Sequence, residues 1–175
     1  FEAAIAHYQA TGKTSLLNVA INFADLLVDT FYTGGVEIPP GHEIVDHFTY
    51  GIVSDGDLME GLTHEAASLA GHLGLGKLIC IYDDNKISIE GSTNIAFTEN
   101  VAARFKAYRW QVLQVKDGID LKAIEEALRQ ARAEKEKPTL IALRTHIAYG
   151  SPNKQDSASA HGEPLGEDEL KITKE

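Results

Sequence analysis

Two short polar segments, each directly after an apolar run, carry side chains that could bind a metal ion and a phosphate group. The first segment reads Ser54-Asp55-Gly56-Asp57 and lies between an apolar run and a helical pattern. Because Gly56 has no side chain, the backbone there can approach a ligand while nearby amide groups face an anion. A diphosphate would suit this position, with the carboxylate of Asp55 beside it.

The second segment, residues 82–87, could supply further oxygen ligands. It offers the side-chain amide oxygen of Asn85 and, two residues later, the main-chain carbonyl oxygen of Ile87. With the Asp55 carboxylate these are hard ligands, of the kind that Mg²⁺ or Ca²⁺ takes when phosphate oxygens and a water complete the shell. An Asp-Gly turn alone is weak evidence, since an Asp there usually caps the following helix. The joint pattern is stronger, because the fold would bring the two segments together.

The elements that must position these segments alternate between strand and helix. Apolar runs at 48–53, 77–82, 111–115 and 139–144 predict strands, and helical patterns lie at 59–73, 98–108 and 120–136. In the first of these helices Leu62, Ala66, Leu69 and Leu73 share one face. The alternation predicts an α/β fold, a partial doubly wound parallel sheet with flanking helices. Right-handed crossovers would place both polar segments at the carboxyl edge of the sheet, where such folds bind ligands.

Residues 1–43 follow a different pattern. Apolar residues at 4, 5 and 8 share one helical face, those at 16, 20, 23 and 27 share another, and residues 11–14 separate them. This pattern predicts a helical hairpin that precedes the sheet. We therefore expect two parts, a helical hairpin at 1–43 and an α/β domain at 44–175.

The composition argues against nucleic acid and membranes as partners. The chain has 16 basic and 26 acidic side chains, a formal net charge of −10, and no run rich in Lys or Arg. Such a surface has no electrostatic basis for binding a phosphate backbone. The apolar runs are shorter than the roughly 20 residues that cross a bilayer, and the first residues lack the pattern of a signal peptide. These features predict a cytoplasmic protein.

Five segments of the longer part carry a resemblance to a known family: SDGDLMEG at 54–61, SLAG at 68–71, LGKL at 75–78, YDDNKISI at 82–89 and HGEPLG at 161–166. With these segments the chain resembles transketolase from about residue 44 to the end. The resemblance implies that Asp55, Asn85 and the carbonyl of Ile87 bind a divalent metal, Mg²⁺ or Ca²⁺, which holds thiamine diphosphate. It also places Gly56 against the diphosphate. Ser54 stands where the family usually has the first Gly of Gly-Asp-Gly.

The resemblance assigns roles to three further residues. His161 matches a family histidine that faces the diphosphate and the substrate; apart from the match it reads as an ordinary surface loop residue. Glu60 and Glu65 fall where transketolases keep acidic residues at a dimer interface. The alternative for both glutamates is that they are first-turn helix acids stabilised by the helix dipole.

The family reaction transfers a two-carbon ketol unit from a ketose phosphate to an aldose phosphate, within the pentose phosphate pathway. The resemblance implies that the glutamate which activates the cofactor lies in a second, pyrimidine-binding domain, and no part of this sequence matches it. We therefore expect a cofactor-binding domain that is inactive alone. It could act on sugar phosphates if a homodimer or another chain supplied that domain. The alternative is a non-catalytic fragment or chimera with at most weak cofactor binding.

Residues 1–43 are similar instead to a helical stretch of the barrel glycosidases that remove β-L-arabinofuranose. This resemblance suggests that the two parts have different origins. Glycoside hydrolysis would require paired carboxylates or a metal site from the rest of such a barrel.

Overall fold

A computed structural model of the chain describes residues 47–174. The predicted hairpin at 1–43, its glycosidase resemblance and the boundary at residue 44 lie outside the described residues and stay predictions. The strands are β1 (Thr49–Ser54), β2 (Leu78–Asp84), β3 (Ile87–Ser88), β4 (Gly91–Ser92), β5 (Gln111–Val115) and β6 (Thr139–Arg144). The helices are α1 (Asp55–Met59), α2 (Gly61–Leu73), α3 (Val101–Ala107), α4 (Leu121–Ala133) and α5 (Glu167–Thr173). No helix within residues 47–174 has the length and apolar content needed to span a membrane.

Four strands form one parallel sheet in the order β1-β2-β6-β5. The register sets Ser54 opposite Asp83, and Asp84 opposite Arg144. The carboxyl ends of β1, β2 and β6 therefore lie at the same edge of the sheet. The two polar segments follow β1 and β2, which are neighbours at that edge. The predicted α/β fold with a parallel sheet is confirmed.

Helices cover both faces of this sheet, as the alternating pattern predicts. Side chains of β2 alternate between the two faces. Tyr82 packs with residues of α1, α2 and α3 on one face, whereas Ile79 packs with α4 on the other. The apolar run of β2 is thus buried from two sides, as expected for a central strand of a doubly wound sheet.

The first helical stretch differs from the prediction because Glu60 interrupts it. Glu60 adopts an extended backbone (φ −64°, ψ 137°) and separates α1 from α2. The break lets α1, only five residues long, leave β1 in its own direction with Asp55 as its first residue. The position of Asp55 therefore depends on a short helix held by its neighbours rather than on one long helix.

The predicted apolar face of α2 is not its buried face. Leu62, Leu69 and Leu73 are 74%, 57% and 58% exposed, whereas the inward positions are Ala67, Ala70 and Gly71. Small residues are needed inward because the next layer lies very close: a Cβ at position 71 would lie 1.7 Å from a main-chain carbonyl oxygen.

The main-chain carbonyl that lies so close to Gly71 belongs to Tyr108. Trp110 makes a second contact with α2. Trp110 donates its indole N–H to the carbonyl of Ala67 at 2.8 Å and packs edge-on against Phe105, with ring centroids 5.1 Å apart. The close approach of α2 is thus specified by a hydrogen bond as well as by small side chains.

The loop after β6 is attached to the last helix through Glu169. This buried carboxylate accepts hydrogen bonds from the hydroxyl of Ser151 and from the main-chain and side-chain N–H groups of Asn153, the latter two at 2.9 Å. These hydrogen bonds lower the pKa of Glu169. An ionised carboxylate therefore holds α5 against the loop that leads to His161.

Candidate functional site

Asp55 lies at the point where β1 gives way to α1, and its carboxylate is buried. Only 3% of the residue is exposed. The Tyr82 hydroxyl donates a hydrogen bond to Oδ1, while Oδ2 has no hydrogen-bond partner among the described residues. A buried carboxylate oxygen without a partner is costly, and most such oxygens in proteins are satisfied. The geometry therefore leaves one strong acceptor ready for an outside group.

The electrostatic surroundings of Asp55 favour a cation as that group. Burial raises the pKa of Asp55; the hydrogen bond from Tyr82 opposes the increase, and the nearby charge of Asp84 adds to it. A bound cation would place a positive charge beside this carboxylate and favour its ionised form. Burial also raises the pKa of Tyr82, so its hydroxyl stays a donor.

Asp57, by contrast, is occupied by a local turn. The main-chain N–H and the hydroxyl of Ser54 donate to its Oδ2 at 2.7 and 2.8 Å, and these bonds lower the pKa of Asp57. They stabilise the first turn of α1. Of the two carboxylates in this loop, only Asp55 has a buried oxygen without a hydrogen-bond partner.

The backbone at Gly56 is open to an approaching group. A Cβ built there would have only the Ser54 hydroxyl within 4 Å, at 3.9 Å. The residue is exposed and is the second residue of α1. The contact between Gly56 and a diphosphate stays a prediction, for which this space leaves room.

Asn85 and Ile87 are held together by one tight turn. The side-chain oxygen of Asn85 accepts the N–H of Ile87 at 2.8 Å, and the side-chain nitrogen of Asn85 donates to Asp83 at 3.2 Å. Lys86 between them has a positive φ of 67°. The turn fixes the amide of Asn85 and leaves its oxygen one further lone pair.

The other carboxylates of this loop are already engaged. Asp83 accepts a hydrogen bond from the Thr145 hydroxyl, and Asp84 lies 2.6 Å from the ammonium group of Lys86. Across residues 47–174, no three His, Cys, Asp or Glu side chains are grouped so that they could hold a metal ion by themselves. A metal here would need amide, carbonyl and ligand oxygens beside Asp55, which is the mixed oxygen set that the sequence predicts.

Sequence reasoning missed Tyr82. The signal was present, because Tyr82 is the last residue of the apolar run before the second polar segment, and the β1–β2 register sets it opposite Val53, two residues before Asp55. The alternation of β2 turns its side chain toward α1. Only the pairing of the strands makes this neighbour relation visible.

The remaining predicted residues lie on the surface. Glu60 and Glu65 are exposed, and within the described part of the chain neither side chain makes a hydrogen bond or an ion pair. His161 is exposed at the end of a short 3-10 turn, Ala158–Ala160. Its side chain makes no hydrogen bond to Asp55 or Asn85. The interface role of the glutamates and the cofactor role of His161 stay predictions.

Comparison with known proteins agrees with the resemblance carried by the motifs. A family described as "Transketolase, thiamine diphosphate binding domain" matches residues 28–175. The transketolase of Geobacillus stearothermophilus is 56% identical over 135 residues, which are 77% of this chain and 20% of that protein. The transketolase of Nostoc sp. is 57% identical over 137 residues, 78% of this chain and 20% of that protein. The chain thus spans about one fifth of the length of these relatives.

Solved transketolase structures share the fold. The structure from Pichia stipitis in complex with sedoheptulose 7-phosphate is 50% identical, with a TM-score of 0.72 over 74% of this chain and 19% of that one. The structure from Leishmania mexicana is 45% identical, with a TM-score of 0.75 over 85% of this chain and 22% of that one. The family match begins at residue 28, before the boundary predicted at residue 44.

Proposed function

This chain belongs to the family of the transketolase thiamine-diphosphate-binding domain, and from that premise we propose that it binds thiamine diphosphate through a divalent metal ion at the carboxyl edge of its sheet. Asp55, the side-chain oxygen of Asn85 and the carbonyl of Ile87 would hold the metal. Gly56 would let the diphosphate approach the start of α1. The observation that carries the proposal is the buried Oδ2 of Asp55, an acceptor without a partner.

Mg²⁺ fits this ligand set better than a softer metal. Each proposed protein ligand is an oxygen atom, and the chain would supply a single carboxylate charge. The diphosphate oxygens would complete the shell and balance the remaining positive charge. Cofactor and metal would therefore bind together, each weakly without the other.

The proposed reaction of the complete assembly is transfer of a two-carbon ketol unit from a ketose phosphate to an aldose phosphate. When bound, thiamine diphosphate supplies a thiazolium carbon that can add to a carbonyl group. The similarity to a transketolase solved with sedoheptulose 7-phosphate supports sugar phosphates as the substrate class. His161 would face the diphosphate and the substrate, and we expect the assembly to work in the cytoplasm.

Another protein surface would have to complete the site. The chain spans about one fifth of its relatives, and we propose that the pyrimidine-binding part comes from a second copy or from another chain. Glu60 and Glu65 are both exposed, Glu60 at the N-cap of α2 and Glu65 in its second turn. Their exposure supports an interface there. By itself the chain should bind the cofactor without turning over substrate.

Calorimetric titration of thiamine diphosphate tests the proposal. With Mg²⁺ present we expect saturable binding of one equivalent, and with EDTA we expect none. Thiamine, which lacks the diphosphate, is the matched control and should not bind in either buffer. Absence of metal-dependent binding to a sample shown by circular dichroism to be folded would contradict the proposal.

A coupled assay tests the expected inactivity. Xylulose 5-phosphate and ribose 5-phosphate, added to the chain with cofactor and Mg²⁺, should give no sedoheptulose 7-phosphate. Measurable transfer would show that the second domain is not required. A complete transketolase in the same assay is the positive control.

A further inference from the structure

Tyr82 and Asp55 form a buried pair at the centre of the proposed site. Tyr82 is 2% exposed and Asp55 is 3% exposed, and the Tyr82 hydroxyl donates to Oδ1 of the carboxylate. Tyr82 comes from β2 and Asp55 from the start of α1, so the hydrogen bond joins two elements. Its effect is to distinguish the two carboxylate oxygens, because one has a donor and the other has none.

The backbone that carries Asp55 is held independently at the far end of α1. Two guanidinium nitrogens of Arg104 donate to the carbonyl of Leu58 at 3.1 and 3.0 Å, and Arg104 also pairs with Glu99 at 2.9 Å. Leu58 itself is fully buried. With the helix fixed in this way, the freedom left to Asp55 is rotation of its side chain, and Tyr82 is the partner that restricts that rotation.

We propose that Tyr82 is a positioning residue that keeps Oδ1 of Asp55 engaged and Oδ2 free, so that a cation is bound by a single oxygen of this carboxylate. The inference rests on the proposed metal site and deepens it by selecting the cation. Ca²⁺ readily takes both oxygens of a carboxylate, whereas Mg²⁺ requires near-octahedral geometry. A carboxylate restricted to one free oxygen therefore favours Mg²⁺ over Ca²⁺.

The first test measures whether Tyr82 and Asp55 are coupled in the metal-free chain. Urea unfolding is followed for the wild type, Tyr82→Phe, Asp55→Ala and the double variant. A hydrogen bond to a charged group should give a coupling of about tenfold or more in the unfolding equilibrium constant. Additive effects of the two substitutions would overturn the proposal. The control is Tyr50→Phe, because Tyr50 is half exposed near the amino end of β1 and should not couple to Asp55.

The second test compares the two cations by calorimetry, with thiamine diphosphate present. Tyr82→Phe keeps the ring but frees Oδ1. We expect Mg²⁺ affinity to fall about 10- to 100-fold, as is usual when the group that orients a metal ligand is lost. Ca²⁺ affinity should fall less, since Ca²⁺ can then use both oxygens, and the preference for Mg²⁺ should narrow. Tyr50→Phe should leave both affinities unchanged.

The outcomes separate this inference from the function on which it rests. If the wild type binds neither cation, the proposed function fails, and the unfolding test still decides whether Tyr82 holds Asp55. If the wild type binds Mg²⁺ but Tyr82→Phe leaves the Mg²⁺ to Ca²⁺ ratio unchanged, the positioning role is wrong and the metal site stands. If Tyr82 made only a structural contact, its loss would lower the affinities for both cations equally, and that result would also contradict the proposal.

Discussion

Replacing Asp55 with alanine should abolish metal-dependent cofactor binding while leaving the fold in place. Asp55 is the carboxylate of the proposed site that has a free oxygen, so the substitution removes the charge that the chain offers the metal. At an effective dielectric constant of about 20, a carboxylate and a divalent cation roughly 4 Å apart attract by about 8 kcal/mol. Even if dehydration cancels more than half of this value, a loss of about 3 kcal/mol weakens binding by more than about 100-fold.

The same substitution should change the free energy of unfolding only slightly, because two effects oppose each other. The Tyr82 hydroxyl loses its acceptor, which costs about 1–3 kcal/mol. Removal of the buried, unpaired Oδ2 relieves a penalty of about the same size. We therefore expect a net change within about 1 kcal/mol, small enough for the variant to remain folded during a titration.

Calorimetry measures the loss of cofactor affinity and urea unfolding measures the change in stability, for the wild type, Asp55→Ala and a control variant. The matched control is Asp57→Ala, which removes a carboxylate from the same loop that bonds only to Ser54. It should cost about 1 kcal/mol of stability through loss of the helix cap and keep cofactor binding. Retention of affinity within tenfold in Asp55→Ala, or an equal loss in Asp57→Ala, would refute the assignment.

Three further predictions follow from the packing, the titration behaviour and the extent of the domain. Gly71→Ala should destabilise the chain by about 3 kcal/mol or more in urea unfolding, since its Cβ would lie 1.7 Å from the Tyr108 carbonyl oxygen. The control Gly61→Ala should be nearly neutral in the same experiment, because a Cβ there has nothing within 4 Å. Hydrogen bonds hold the pKa of Glu169 below its ordinary value of 4.5. Their stabilisation is therefore complete above about pH 4.5 and is lost as the pH falls through the folded-state pKa. Thermal unfolding measured against pH should show this loss, and Glu169→Gln should remove the contribution of this residue to the pH dependence. Deletion of residues 1–27, which precede the family match, should leave calorimetric cofactor affinity within a few-fold, and complete loss would show that they are structural.

The strands were predictable to within one or two residues because a buried strand needs only a short apolar run bounded by polar or turn residues. The strands at 111–115 and 139–144 coincide with the predicted ranges. The helices were less predictable at their ends. The break at Glu60 lies directly before Gly61, but a single glycine does not by itself end a helical pattern, and the extended backbone of Glu60 was not predicted.

The burial of α2 could not be predicted from periodicity. A leucine stripe is the stronger apolar signal, yet the buried positions are Ala67, Ala70 and Gly71. The reason lies in residues far along the chain, because the Tyr108 carbonyl and the Trp110 ring occupy the space that larger side chains would need. The hydrophobic pattern shows which residues of a helix are apolar, but the space left by the neighbouring layer determines which of its faces is buried.

By itself, the sequence determined the parallel α/β fold, the family and the two loops that carry Asp55, Gly56, Asn85 and Ile87, because alternation, glycine placement and Asx turns are local properties of the chain. The tertiary structure decided which acceptor in those loops is free. Asp57 is engaged by its own helix cap, Asp84 by Lys86 of the same loop and Asp83 by Thr145 from another segment. A tyrosine from the neighbouring strand engages one oxygen of Asp55. Partners brought together by strand pairing leave no trace in local sequence spacing, and for that reason the free Oδ2 of Asp55 became visible only in the folded chain.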